Sequence, residues 1–204
     1  MSIANAKQAQ MSVGHTADSG RPIADFYQTC PQAVRGLLSK EKGLYKGTVW
    51  EPACGKGAIS NVLREHQINV YSSDLYDRGC GDVGIDFLTA PIPSGQGIKH
   101  VVTNPPFSQS FEFAEKGAEV IRETSGLACF LNRLQWLEGI KRKEMFKRTG
   151  LSRVWVFSRR IPRMHRPGYT GKKSSSLIAF AWYVWDAWHV GETKIGWIDW
   201  KDAA

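Results

Sequence analysis

The sequence predicts an α/β fold: seven strands in a mostly parallel sheet, helices on both faces, and an antiparallel hairpin at one edge. Three observations carry this. Short β-branched and aromatic runs alternate with segments of helical period through most of the chain, the pattern of strands joined by crossover helices. Glycine-rich or proline-rich breaks follow several of the apolar runs, where a strand must give way to a turn. The last two long apolar runs flank an irregular basic stretch and suit antiparallel pairing.

Residues 1–20 are polar and small and are expected to form a flexible tail without the apolar core of a signal peptide. Residues 21–204 are expected to form a single domain, long enough to bury a substantial core. "DFYQTCPQAVRGLL" reads as a turn entering a helix, with Thr29 placed to cap it and Pro31 in its first turn. "GTVWEPACGKGAISNVLREHQ" reads as strand, glycine turn and helix. "INVYSSDLYDRG" is a strand ending at Asp74, and "VGIDFL" a short strand or turn. "IKHVVTNPPF" is a strand that must stop at Thr103 or Asn104, because proline offers no N–H to a ladder. "SFEFAEKGAEVIRETSG" is a helix with a glycine stop, "LACFL" a buried strand, and "LEGIKRKEMFKRTG" a basic amphipathic helix. "SRVWVFSR" and "SSLIAFAWYVWD" form the hairpin, and "HVGETKIGWIDWKDAA" is a turn plus a short aromatic-anchored end.

Hydrophobic residues make up 42% and charged residues 23%, the balance of a soluble globular chain. No apolar run approaches the roughly 20 residues of a membrane span, so no membrane partner and a cytoplasmic location are expected. The four cysteines (Cys30, Cys54, Cys80 and Cys129) have no paired metal spacing, so free thiols and no metal site are expected. The net charge of +8 is concentrated. Residues 139–173 hold twelve Lys/Arg against Glu144 alone, a surplus of eleven, which leaves the rest of the chain slightly acidic. Aromatics interleave that stretch, which points to a phosphate-contacting surface. The tryptophan-rich "WYVWDAW" is read as packing.

Chemistry is expected at the carboxyl ends of the strands, where open α/β sheets bind ligands. Glu51, Pro52, Cys54, Gly55 and Gly57 follow the first strand, and Asp74 the second. Asp86 and Phe87 follow the third, and Asn104, Pro105, Pro106 and Phe107 the fourth. The glycine turn allows close backbone approach to a ligand and matches neither a Walker loop nor a GxGxxG fingerprint. An acid at the position of Asp74 can accept both hydroxyls of a ribose, while Asp86 and Phe87 could bind an adenine amino group and cover its ring. The proline corner fixes two acceptors, the Asn104 side-chain oxygen and the Pro105 carbonyl, without reorganisation. By the family resemblance set out next, such a pair would hold an exocyclic amino group with its lone pair turned towards an electrophile, and Phe107 would stack on the base that carries it.

"VWEPACGKG", "SSDLY", "DF" and "TNPPF" together resemble the sequential motifs of class I S-adenosylmethionine-dependent methyltransferases. They are most similar to gamma-type adenine-N6 DNA methyltransferases, small phage-borne members above all. "DFYQTCP" resembles the upstream cofactor motif of that family, with Cys30 standing between Thr29 and Pro31. The resemblance covers residues 25–185. It implies a Rossmann-like sheet and S-adenosylmethionine as cofactor, held also by Phe26, Tyr27, Thr29 and Leu75. The implied substrate is double-stranded DNA with the target base flipped, bound by a monomer, in the bacterial host cell if the chain is phage-encoded. Lys141, Arg142, Arg159, Arg160, Arg163, Arg166, Lys172 and Lys173 would hold phosphates, and Tyr169 would give a second face to the base, with Phe157 and His165 behind it. No separate target-recognition domain is expected, so the target would be short or relaxed. An RNA base (adenine N6 or guanine N2), a protein glutamine amide, or a non-catalytic nucleic-acid-binding module on the same scaffold remain alternatives at this point.

Overall fold

The structure is a computed structural model, and residues 27–162 and 176–202 are described. Phe26, the N-terminal tail and the predicted loop residues Arg163, His165, Arg166, Tyr169, Lys172 and Lys173 lie outside the described residues.

The strands are β1 (Thr48–Glu51), β2 (Val70–Asp74), β3 (Asp82–Val83), β4 (Ile98–Thr103), β5 (Leu127–Arg133), β6 (Leu151–Phe157), β7 (Phe180–Asp186) and β8 (Lys194–Ile198). The helices are α1 (Pro31–Lys40), α2 (Ala58–Glu65), α3 (Ser110–Thr124) and α4 (Ile140–Thr149). One sheet forms in the order β3-β2-β1-β4-β5-β7-β6-β8. β7 runs antiparallel between β5 and β6, and the other pairings are parallel.

The strands alternate residues between two cores, which explains their near-continuous apolar runs. Val102, Cys129 and Trp182 face α1 and α2, while Val101, Ala128 and Tyr183 face α3 and α4. Trp182 is fully buried and its Nε1 donates to the Ala33 carbonyl at 2.8 Å, tying α1 to the sheet. Tyr183 and Trp185 are fully buried too, so the aromatic run packs the core as expected. α3 lies close to the sheet because Gly117 has no side chain: a Cβ there would meet the Phe130 ring at 2.4 Å. No helix among the described residues is long and apolar enough to cross a membrane.

The sheet has eight strands where seven were expected. The extra strand is β8, inside the segment read as a simple aromatic-anchored end; it pairs with β6 and takes the edge. Its residues alternate poorly and stay largely exposed, so the segment carries little periodic signal. The predicted edge hairpin is therefore β7 and β6 lying inside the sheet. Phe157 packs in the core against α1, beside Gly36. Cys30, not Thr29, is the residue at the start of α1, with no side-chain cap; Pro31 supplies the first turn. α3 ends on Ser125 in a left-handed conformation rather than on the glycine. Gly126 is needed for another reason: a Cβ there would lie 1.7 Å from the Lys99 carbonyl oxygen.

Candidate active site

The strand ends expected to carry chemistry converge on one cleft of about 170 Å³. Glu51, Pro52 and Cys54 from the turn after β1 line it, with Asp74 and Leu75 after β2. Asp86 and Phe87 come from the loop after β3, and Asn104 and Pro106 from the corner after β4. Tyr27 and Thr29 close it from the segment before α1. Gly55 and Gly57 form the adjoining turn, both in the left-handed region, with φ of 56° and 78°. A Cβ on Gly57 would also strike Cys80 Sγ at 2.7 Å.

The carboxylates are held in place by backbone donors. Asp74 Oδ2 accepts from Gly55 N at 2.8 Å and Oδ1 from Tyr76 N at 2.9 Å. An ionised carboxylate offers about four acceptor positions, so Asp74 keeps capacity for hydroxyl donors while it braces the glycine turn. Glu51 is 1% exposed and accepts from both the backbone N–H (2.7 Å) and the hydroxyl of Ser60. Burial raises its carboxyl to about 8, outweighing the Ser60 hydrogen bonds. Asp86 Oδ1 accepts from Leu88 N at 3.0 Å, which shapes the turn. Phe87 is 1% exposed and packs edge-on to Trp50 at 5.0 Å, so it walls the cleft from inside the core. The Cys54 thiol is pushed up by burial and by Glu51 beside it, which makes it a poor nucleophile.

The corner itself leaves β4 at Thr103, as the prolines require. Asn104 Nδ2 donates to the Tyr27 carbonyl at 3.2 Å, which orients the amide across the cleft. Phe107 sits just outside, with Tyr27 stacked at 6.1 Å, Phe180 at 6.2 Å and the exposed Arg133 guanidinium 4.6 Å from its ring centre. Arg133 was not singled out from sequence, although it ends the strand next to β4 and the strand-end rule points to it.

The basic segment divides. Lys141, Lys143 and Lys147 stand exposed on α4, whose Met145 and Phe146 are buried against the sheet. Arg160 is exposed as well. Arg159 instead pairs with Asp199 at 2.6 Å and Arg142 Nη2 donates to the Glu138 carbonyl, so neither cation is simply presented to solvent.

No family model matches the chain, and no curated protein does. Solved structures do. A protein described as a class I S-adenosylmethionine-dependent methyltransferase from Listeria monocytogenes superposes with TM-score 0.59 at 12% identity, over 97% of this chain and 75% of that one. The fold is the class I methyltransferase fold. A protein described as an RNA methyltransferase from Pyrococcus horikoshii gives TM-score 0.56 at 14% identity, over 91% and 98% of the two chains. The methyltransferase subunit of a type I restriction-modification system from Streptococcus thermophilus gives 0.55 at 12% identity, over 79% of this chain and 44% of that one. In this fold the cleft lies where such sheets bind ligands, outside the carboxyl ends of their strands.

Proposed function

We propose that the chain is an S-adenosylmethionine-dependent methyltransferase acting on adenine N6 of double-stranded DNA. The observation that carries this reading is the shared cleft: Asn104 and Pro106 of the proline corner line the same cavity as Glu51, Cys54 and Asp74. The residues fit the cofactor. Asp74 retains acceptor positions suited to two ribose hydroxyls, and the left-handed Gly55 and Gly57 open the backbone beside the cleft. When bound, the cofactor supplies an electrophilic methyl group.

The chain supplies the rest. The Asn104 amide oxygen and the Pro105 carbonyl accept the two amino hydrogens and hold the nitrogen lone pair out of conjugation with the ring. The prolines make that geometry rigid, so little reorganisation is needed. Positioning contributes further. Once the nitrogen has taken the methyl group it is cationic and acidic, so its surplus proton passes to water without a dedicated base. Phe107 stacks on the flipped base. The cation–π contact of Arg133 with that ring is worth about 0.5–1 kcal/mol at an exposed site, while a stacked base is worth about 1–3 kcal/mol, so the base can displace it. Lys141, Lys143, Lys147 and Arg160 hold backbone phosphates, which gives affinity without sequence and a short or relaxed target. The same surplus of charge supports a nucleic acid over a protein amide.

The test is incubation with S-adenosylmethionine and unmethylated DNA or RNA, digestion to nucleosides and mass spectrometry. N6-methyladenine in DNA, at many positions, is the expected result. Methyl groups in RNA alone would overturn the substrate and keep the corner chemistry. No transfer to either would overturn the nucleic-acid reading.

A further inference from the structure

Beside the cleft, on the far side of the proline corner, lies a second cavity of about 200 Å³ lined by Phe107, Ser110, Asn132, Arg133, Trp136 and Arg142. Two buried side-chain atoms in its wall have no hydrogen-bond partner among the described residues: Asn132 Nδ2 and Arg142 Nε. Both are donors. Asn132 is 1% exposed, so the deficit belongs to the interior of the protein. Its other amide atom is satisfied, because Oδ1 accepts from Ser110 Oγ at 2.8 Å. In this arrangement the NH₂ group is the unspent end of the amide. The two donors left over in its wall favour an occupant that brings acceptors.

We propose, resting on the methyltransferase reading above, that this cavity takes the acceptor edge of the flipped base. Asn132 reads that edge by donating from Nδ2 to a ring nitrogen next to the reactive amino group. The amino group of adenine is flanked by two ring positions that accept, N1 directly and N7 across the fused ring. A glutamine amide has no ring acceptor, and the amino group of guanine has a ring N–H on one side. Phe107, in the cavity wall and just outside the cleft, provides the stacking face. Arg142 adds a second unpartnered donor, Nε, to the same wall. Asn132 is held by β5 and by Ser110 at the start of α3, and so presents its donor from rigid elements.

The test compares methyl transfer to duplexes carrying adenine, 1-deazaadenine or 7-deazaadenine, for the full-length chain and for two variants. Asn132→Asp keeps an acceptor for Ser110 and exchanges the amide NH₂ for a carboxyl oxygen; Asn132→Ala removes the whole amide. Calorimetry with S-adenosylmethionine checks that each variant is folded, and if Asn132→Ala does not fold, Asn132→Asp carries the test alone. The wild-type protein should lose about tenfold in kcat/KM on one of the two deaza substrates, the worth of a single hydrogen bond. Both variants should treat that substrate and adenine alike. Variants that keep the wild-type discrimination would overturn the role of Asn132 and leave the methyltransferase reading standing. A wild-type protein blind to both ring nitrogens would do the same. A wild-type protein that transfers nothing to the adenine duplex would overturn the substrate reading, and this inference with it.

Discussion

The two ends of the sheet both bury charge and treat it in opposite ways. At the amino end, Arg153 lies between two carboxylates: its Nε and Nη2 donate to Glu41 at 2.8 and 3.1 Å, and Nη1 and Nη2 to Asp186 at 3.1 Å. Trp155 Nε1 adds a third donor to Glu41 at 2.6 Å. Nearby, His100 donates from Nε2 to the Lys46 carbonyl and accepts at Nδ1 from Leu127 N, and burial lowers its pKa. These partners are complete. At the carboxyl end Glu51 is buried with its carboxyl raised to about 8, and Thr103 Oγ1, Asn132 Nδ2 and Arg142 Nε are buried with no partner among the described residues. Unsatisfied buried polar groups cost stability. These unpartnered groups gather at one end, around the proline corner, whereas the charged groups at the amino end are paired.

The sharpest way to break this contrast is to remove one residue from each end. Asn104→Ala should lower the methyl-transfer rate by about 10²–10³, the usual loss of one preorganised polar group, while calorimetric affinity for S-adenosylmethionine holds. Near-normal transfer by that variant would remove Asn104 from the chemistry. Arg153→Ala should act the other way. It strands Glu41 and Asp186 and should cost about 3 kcal/mol in a denaturant titration, with transfer per folded molecule unchanged. Lost activity in that variant, at a temperature where it is folded, would mean that the two ends are coupled.

A smaller effect sharpens the comparison through pH. Burial raises Glu51 above its ordinary value of 4.5, to about 8. Between those values the folded chain holds a proton that the unfolded chain has released, so stability falls as pH rises through that window and levels off above it. Denaturant midpoints measured from pH 5 to pH 9 should decline for the wild-type protein, and the decline should be shallower for Glu51→Gln. An identical slope in the variant would assign the pH dependence to other groups.

Much of this was legible in the sequence for local reasons. The stop of β4 at Thr103 follows from two prolines, and the left-handed turn at Gly55 and Gly57 from glycine itself. The placing of Glu51, Asp74, Asp86 and Asn104 around one cleft follows from their positions at the ends of successive strands. What was illegible depended on partners far along the chain. The pairing of Arg159 with Asp199, 40 residues on, takes one cation out of the basic surface. β8 exists because β6 offers it an edge, and Phe157 is buried because α1 lies over it.

By itself, then, the sequence determined the alternation of strands and helices, the strand-end chemistry and the concentration of positive charge. These rest on backbone sterics, hydrophobic period and formal charge, which each residue carries wherever it goes. Only the tertiary structure decided which polar groups end with partners and which do not. An amide nitrogen such as Asn132 Nδ2 is an ordinary donor in the sequence. It is left buried without a partner among the described residues only because β5, α3 and α4 close around it.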